Sequence, residues 1–159
     1  MALGLTFFTA IVLIAFSSFQ FFHYDNTDFN ISDYMDENEL SYKIRGAIFK
    51  VYNELGPGLL ESVYEAALCY QLRKEDLKVD NQVKVNVVFD GQILPVDYRI
   101  DILVDDKVII ELKSVETLLP VHHKQLLTYL KLTKKKLGLL VNFNSDDITK
   151  SIIRKVNGL

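Results

Sequence analysis

The sequence has one cysteine and no excess of basic residues. Cys69 has no second cysteine with which to form an intramolecular disulfide, and its apolar, helical context predicts a buried and unreactive thiol. The formal net charge of −3 and the isoelectric point of about 5.6 exclude the overall positive field that dominates many nucleic-acid-binding proteins. Any contact with a polyanion must therefore be local.

Internal repeats and low-complexity tracts are also missing from the sequence. Of the 159 residues, 49% are hydrophobic, which is enough apolar side-chain surface for the core of one compact domain. The composition therefore predicts a single folded domain.

The segment 1–22 contains no ionisable side chain, and a helix rising about 1.5 Å per residue would be long enough there to cross the roughly 30 Å hydrocarbon layer. Three interpretations are open. A signal peptide would lack the usual basic n-region, although Ala15-Phe16-Ser17 offers small residues for cleavage. A membrane anchor would leave the following domain in the cytoplasm, because Lys43, Arg45 and Lys50 lie downstream and no basic residue lies upstream.

The third interpretation is an over-extended reading frame in which Met35 is the true start. The chain is accordingly divided into a hydrophobic N-terminal segment (1–24), an acidic linker (25–34) and a folded domain (35–159).

Periodicity and turn residues predict the elements of the folded domain. Asp36, with Glu39 three residues later, predicts a helix N-cap, and Gly56-Pro57-Gly58 ends that helix. The second helix has two neighbouring stripes at helical spacing, one of Leu60, Val63, Ala67 and Tyr70 and one of Glu61, Tyr64, Glu65 and Leu68.

Strands and a third helix are predicted in the second half of the domain. Alternation predicts a half-buried strand at 82–89, and Pro120 suits the first turn of the third helix. The apolar run 137–143 predicts the last core strand, whereas 146–156 is compatible with a short helix or an edge strand.

The stretch 98–113 predicts a β-hairpin, because two runs of alternating character flank an Asp-Asp-Lys turn. Its apolar residues share one face only if Val104 faces Val108 across a three-residue loop. On the other face, this register pairs Asp101 with Glu111, and it pairs Arg99 with Lys113. Because opposed like charges destabilise a strand pair, the two carboxylates need compensation, for which a divalent cation beside an ammonium group is the obvious candidate.

A purely structural interpretation of these charges is also open, since they alternate in sign diagonally and could form an ion-pair network on a solvated sheet face. Leu103 and Ile109 continue the same face, however, and predict that a helix covers part of it. The charges would then lie at the edge of a cleft, where ionised groups are costly unless they are paired or functional.

The Asp101 and Glu111-x-Lys113 pattern resembles the active-site hairpin of the PD-(D/E)XK nuclease superfamily. Gly58-Leu-Leu-Glu61-Ser-Val-Tyr64 is similar to the motif that names the GxxExxY family within that superfamily. His122, Gln125 and Tyr129 resemble the later helix of that family. The resemblance extends from about Met35 to Asn157.

This resemblance implies a restriction-endonuclease-like αβββαβ core, an α/β fold in which a mixed central sheet is flanked by helices. It implies Mg²⁺ or Mn²⁺ held by Asp101, Glu111 and the backbone carbonyl of Leu112, and it implies for Glu61 either a catalytic role, with Glu61 as a further ligand, or a role in supporting the residues that bind the metal. Without it, Glu61 would be read as a first-turn acid favoured by the helix dipole.

The remaining catalytic candidates are Lys113, which would orient or deprotonate a water molecule or stabilise charge, and the pair formed by Gln125 and Tyr129, which would position the water or a phosphate. The lysines 131, 134, 135 and 136 could contact a phosphate backbone or form a solvated helix end. The sequence thus predicts a metal-dependent nuclease that acts on DNA or RNA. The alternative is a catalytically silent nucleic-acid- or protein-binding module on the same scaffold.

Overall fold

The computed structural model describes residues 35–159. Predictions for the hydrophobic segment 1–24 and for the linker 25–34 lie outside the described residues. In the described part of the chain, no helix combines the length and the apolar character that crossing a membrane requires. The elements are α1 (Glu37–Leu55), α2 (Glu61–Lys74), β1 (Val79–Lys84), β2 (Val88–Phe89), β3 (Gln92–Ile93), β4 (Arg99–Val104), β5 (Val108–Lys113), α3 (Pro120–Thr133), β6 (Leu137–Asn142), a 3-10 turn (Ile148–Lys150) and β7 (Ile152–Val156).

The central element is a five-stranded sheet with the order β1-β4-β5-β6-β7. Strand β5 pairs in parallel with β6, and helix α3 is the crossover connection between them. The other neighbouring strands of this sheet are antiparallel. Strands β2 and β3 form a separate two-stranded ribbon. The mixed sheet agrees with the predicted fold class.

Helices cover both faces of the sheet. Helices α1 and α2 pack on one face, where the core includes Ile44, Leu68 and Ile110. Helix α3 packs on the other face, where Leu126 and Leu130 contact a cluster that includes Leu103, Ile109 and Leu140. The prediction that a helix covers Leu103 and Ile109 is therefore confirmed.

Local signals set the ends of α1 as the sequence predicted. The side chain of Asp36 accepts hydrogen bonds from the backbone N–H groups of Asn38 and Glu39, and the Glu39 side chain accepts one from the Asp36 N–H. This reciprocal pairing is a capping box. Gly56 ends the helix with a φ of 68°, which glycine adopts without steric cost.

The two stripes of α2 differ in burial. Leu60 is 74% exposed and Tyr70 is 68% exposed, whereas Tyr64 and Leu68 are buried. The reason is the anchoring of Tyr64, whose hydroxyl donates to the carbonyl of Gly56 at 2.7 Å and whose ring stacks on Phe143 at a centroid distance of 4.4 Å. These contacts turn Tyr64 and Leu68 toward the sheet and leave Leu60 and Tyr70 exposed to solvent.

The strand at 82–89 is corrected. The strand of the main sheet is Val79–Lys84, and Phe89 lies in the separate ribbon, where it is 72% exposed. Gln82 has a φ of 52°, outside the extended region, so the regular alternation does not continue through it. The ambiguous segment 146–156 consists of the 3-10 turn followed by β7, which pairs with the outer side of β6.

Candidate active site

The hairpin of β4 and β5 has the loop that the sequence predicted. Val104 faces Val108, Leu103 faces Ile109 and Ile102 faces Ile110. The paired ladder ends there, so the predicted direct pairs of Asp101 with Glu111 and of Arg99 with Lys113 are not formed. The last ladder pair toward Asp101 is Ile102 with Ile110, and the exposed Arg99 side chain contacts Asp97 at 2.7 Å.

The side chain of Asp101 forms a hydrogen bond to β5 at the position where the backbone ladder ends. Its Oδ2 atom accepts a hydrogen bond from the backbone N–H of Leu112 at 2.8 Å. The carboxylate thereby replaces the missing strand-to-strand bond of a residue that is fully buried. This contact fixes Asp101 beside the last residues of β5.

Glu111 is the most deeply buried acidic residue of the site, with no exposed surface. Its Oε1 atom accepts a hydrogen bond from Nζ of Lys113 at 2.6 Å. Its Oε2 atom is buried and has no hydrogen-bond partner within residues 35–159. A buried carboxylate oxygen without a partner is costly, and it marks a position that a ligand or a proton would satisfy.

Lys113 is the central cation of the site. Besides Glu111, its Nζ atom donates to the carbonyl oxygen of Leu112 at 2.6 Å and lies 3.9 Å from Oε1 of Glu61. Glu61 begins α2, and the preceding loop is tied to the end of β5 because the hydroxyl of Ser114 donates to the carbonyl of Leu59 at 2.6 Å. The first helix turn of α2 therefore reaches the end of the hairpin.

Helix α3 brings Gln125 and Tyr129 to the same end of the sheet. The amide of Gln125 donates to the hydroxyl of Tyr129 at 3.2 Å, and only 2% of the Tyr129 surface is exposed. The ring of Tyr129 packs against Tyr98 at a centroid distance of 4.6 Å. The structure thus brings all six predicted catalytic candidates to one end of the sheet, while their chemical roles stay predictions.

The protonation of the acids reflects their burial. Burial raises the pKa of Glu111 to about 7, with a further contribution from Asp101 and a partial reduction by Lys113. Burial also raises the pKa values of Asp101 and Glu61. The mutual effect of the acids shows that they share one neighbourhood although they are not a ladder pair.

The basic and phenolic groups respond to the same acids. Burial acts to lower the pKa of Lys113, but Glu111, Asp101 and Glu61 together outweigh it and raise that pKa above the usual range. The three acidic neighbours therefore make Lys113 an ammonium group at neutral pH when no metal is bound. Burial raises the pKa of Tyr129 to about 12, which keeps its hydroxyl protonated.

The donor set fits a hard divalent cation that keeps part of its water shell. Among residues 35–159, no three carboxylate, imidazole or thiol side chains are arranged to hold a metal by themselves. Mg²⁺, however, usually needs only one or two carboxylates, and it takes its other oxygens from water and phosphate. Asp101, Glu111 with its unpartnered Oε2 and the carbonyl of Leu112 supply oxygens of this kind.

Two contributors to the site were not found from the sequence. Tyr98 packs on Tyr129, and the buried Asn142 accepts from the Val115 N–H and donates to the Val115 carbonyl. Asn142 lies beside Lys113 in the parallel β5–β6 ladder and holds the segment that leaves the site. Its place at the end of an apolar strand was the only signal, and that signal does not reveal which residue it faces.

The structure gives the positions of three further groups. The lysines near the end of α3 lie by the start of β6, and Lys135 and Lys136 contact Asp106 at 2.7 Å and Glu37 at 3.6 Å. The start of β6 pairs with Val108, about 16 Å along β5 from Lys113 at roughly 3.3 Å per residue. The Nδ1 atom of His123 is buried. Cys69 is buried as predicted, and burial raises its thiol pKa to about 11.

A mixed sheet with helices on both faces, carrying two acids and a lysine at the end of a central hairpin, defines a restriction-endonuclease-like protein. The sequence model of the PD-(D/E)XK nuclease superfamily matches residues 38–155. The chain therefore belongs to the PD-(D/E)XK nuclease superfamily. Searches of curated proteins and of solved structures found no match.

Proposed function

We propose that this chain is a divalent-metal-dependent nuclease that hydrolyses phosphodiester bonds in DNA or RNA, and that it belongs to the GxxExxY branch of its superfamily. The observation that carries the proposal is Glu111, a carboxylate without exposed surface whose Oε2 atom has no partner in the described part of the chain. Burying a carboxylate oxygen without a partner lowers the stability of the folded protein unless a cation or a proton binds to that oxygen. Its position beside Asp101 and Lys113 matches the chemistry of the superfamily.

Asp101, Glu111 and the carbonyl of Leu112 would hold Mg²⁺ or Mn²⁺. The bound ion would neutralise charge on the scissile phosphate and make a coordinated water more acidic. Lys113 would stabilise the negative charge that develops on the phosphate, or it would orient or deprotonate the attacking water. Gln125, oriented by Tyr129, would position the attacking water or a phosphate oxygen.

Cleavage by the full-length chain tests this proposal on single-stranded, double-stranded and branched DNA and RNA. Cleavage is expected with Mg²⁺ or Mn²⁺, and it should be lost with EDTA and restored when the metal is returned. The variants Glu111→Gln and Lys113→Met should each reduce the rate by at least about a hundredfold, the scale of a lost electrostatic contact to the transition state. Glu37→Gln, which alters an ion pair outside the site, is the control for the loss of one carboxylate.

Retained cleavage in both site variants would contradict the assignment of the site. Metal-independent nucleic-acid binding without cleavage on every substrate would instead favour the alternative of a catalytically silent binding module.

We also propose that the 35–159 domain lies in the cytoplasm and that residues 1–22 form a membrane anchor. The support for this proposal is the position of Lys43, Arg45 and Lys50 after the apolar segment. Protease digestion of sealed, right-side-out membrane vesicles tests the orientation. Digestion of the domain from the outer side would contradict it.

A further inference from the structure

Lys113 makes two short contacts with oxygens to which the proposed function assigns the metal. Its Nζ atom donates to Oε1 of Glu111 and to the carbonyl oxygen of Leu112, each at 2.6 Å. An ammonium group and a divalent cation cannot both occupy this position, because they compete for the same oxygens and repel each other. The side chain is only 12% exposed, so it is held in this place rather than extended into solvent.

A second acceptor for the same ammonium group lies close by. Oε1 of Glu61 is 3.9 Å from the Lys113 nitrogen, and the Glu61 side chain is 44% exposed. A flexible lysine stem can therefore exchange Glu111 for Glu61 without leaving the site and without losing an anionic partner.

We propose that Lys113 is a built-in cation that fills the metal position of the metal-free protein and moves to Glu61 when a divalent cation binds. The proposal rests on the proposed function for the location of the metal. It deepens that function by making Lys113 a determinant of metal affinity and by making Glu61 a positioning residue for the lysine rather than a metal ligand.

The exchange accounts for the unequal environments of the two Glu111 oxygens. One ammonium group satisfies Oε1, while Oε2 stays without a partner within residues 35–159. Lys113 therefore compensates the buried charge of Glu111 only in part. The carboxylate can still attract a cation of higher charge, such as a divalent metal ion. After the exchange, the ammonium group lies beside the half-exposed Glu61, where a substrate phosphate can reach it.

Calorimetric titration of the full-length chain with Mn²⁺ tests the competition. The titrations are carried out at pH 8.5, above the pKa of about 7 of Glu111, so that its protonation contributes little in the wild type. Lys113→Met keeps an unbranched side chain but removes the competing charge, and we expect it to bind Mn²⁺ at least about tenfold more tightly than the wild type. Equal or weaker binding would overturn the proposal. Lys136→Met is the matched control and should leave the affinity unchanged.

A double-mutant cycle distinguishes a role of Glu61 in positioning Lys113 from direct binding of the metal by Glu61. Glu61→Gln removes the second place for the ammonium group, so it should weaken Mn²⁺ binding about tenfold when Lys113 is present and have no effect in the Lys113→Met background. Equal weakening in both backgrounds would make Glu61 a metal ligand and would overturn the exchange. Glu37→Gln controls for the loss of one negative charge.

Crystals of the wild-type chain with and without Mn²⁺ need no variant, and they answer the question if Lys113→Met does not fold. Anomalous scattering locates the ion, and the Lys113 nitrogen should have left Glu111 and Leu112 for Glu61. A bound ion with both lysine contacts retained would overturn the exchange while leaving metal-dependent cleavage intact. Mn²⁺ binding to neither the wild type nor Lys113→Met would overturn the exchange and the metal dependence of the proposed function together.

Discussion

The Nζ atom of Lys113 lies 2.6 Å from Oε1 of Glu111, a carboxylate that is entirely shielded from solvent. The pair forms at the end of a central strand, two residues apart, so both side chains leave the same face of β5. Burial nevertheless raises the pKa of Glu111 to about 7, which means that the lysine does not fully compensate the loss of hydration of the carboxylate.

Glu111 should therefore make the stability of the metal-free protein depend on pH. Its pKa rises from 4.5 to about 7 on folding, so between these values the folded protein retains a proton that the unfolded chain has released. The free energy of unfolding contributed by this group is complete below pH 4.5 and is lost as the pH rises through 7. At about 1.4 kcal/mol per pKa unit, the loss amounts to roughly 3 kcal/mol.

Urea denaturation in EDTA between pH 4.5 and 8.5 measures this dependence. Relative to the wild type, Glu111→Gln should gain stability as the pH rises, because glutamine does not titrate. Parallel stability curves for the two proteins would show that the pKa of Glu111 does not rise on folding.

Asp101 should contribute separately to metal binding and to folding. Asp101→Asn keeps an oxygen that can accept the Leu112 N–H but removes the charge, so we expect Mn²⁺ affinity to fall at least about tenfold with little change in stability. Asp101→Ala leaves the N–H of the buried Leu112 without a partner, which should lower the free energy of unfolding by roughly 1–3 kcal/mol more.

Calorimetry with Mn²⁺ and denaturation in urea measure the two effects of Asp101 independently. Asp97→Asn, at an exposed partner of Arg99, is the control. Unchanged Mn²⁺ affinity in Asp101→Asn would remove Asp101 from the set of metal ligands.

The hydroxyl of Tyr129 should affect cleavage more than folding. Tyr129→Phe retains the ring that packs on Tyr98 but removes the acceptor of the Gln125 amide. We expect the cleavage rate to fall about tenfold, within the range typical of a lost positioning contact, with Mn²⁺ affinity unchanged. Single-turnover cleavage and calorimetry check the two expectations. The exposed Tyr70→Phe is the control, and a full cleavage rate in Tyr129→Phe would exclude a role for its hydroxyl.

Gly138 should be required for the close approach of α3 to the sheet. A Cβ atom at this position would lie 2.6 Å from Cδ1 of Leu126, in a packed core with little room to adjust. Gly138→Ala should therefore lower the free energy of unfolding by about 1–3 kcal/mol, the usual effect of overpacking. Because Gln125 precedes Leu126 on α3, cleavage should also fall.

Gly46 provides the contrasting control, since it lies within α1 and a Cβ atom added there would meet no neighbouring atom within 4 Å. Gly46→Ala should raise the free energy of unfolding by roughly 0.5–1 kcal/mol, because alanine favours the helix. Urea denaturation distinguishes the two substitutions. A stabilising effect of Gly138→Ala would show that the helix can move away from the sheet without loss.

Features that depend on neighbouring residues were predictable from the sequence. Asp36 and Gly56 mark the ends of α1 through caps that form within a few residues, and the three-residue loop follows from the parity of Val104 and Val108. Such features need only local hydrogen bonds and the alternation of side chains along a strand. They identified the hairpin and the charged residues that it carries.

Features that depend on contacts between distant segments required the tertiary structure. The sequence pattern indicated two neighbouring stripes on α2, but only the packing of Tyr64 on Phe143 determines which one is buried. Likewise, strand parity predicted a direct Asp101–Glu111 pair, whereas the ladder ends at the pair of Ile102 with Ile110 and Asp101 accepts the Leu112 N–H.

By itself, the sequence determined the ends of α1, the loop of the hairpin and the identity of its acids and lysine, because periodicity and capping act over a few residues. Only the tertiary structure shows that Glu111 is buried. It also shows that the Lys113 ammonium group contacts Glu111 and the Leu112 carbonyl and lies close to Glu61. The physical reason is that burial and electrostatic pairing arise when helices α2 and α3 pack on opposite faces of the sheet. A local sequence pattern does not predict this packing.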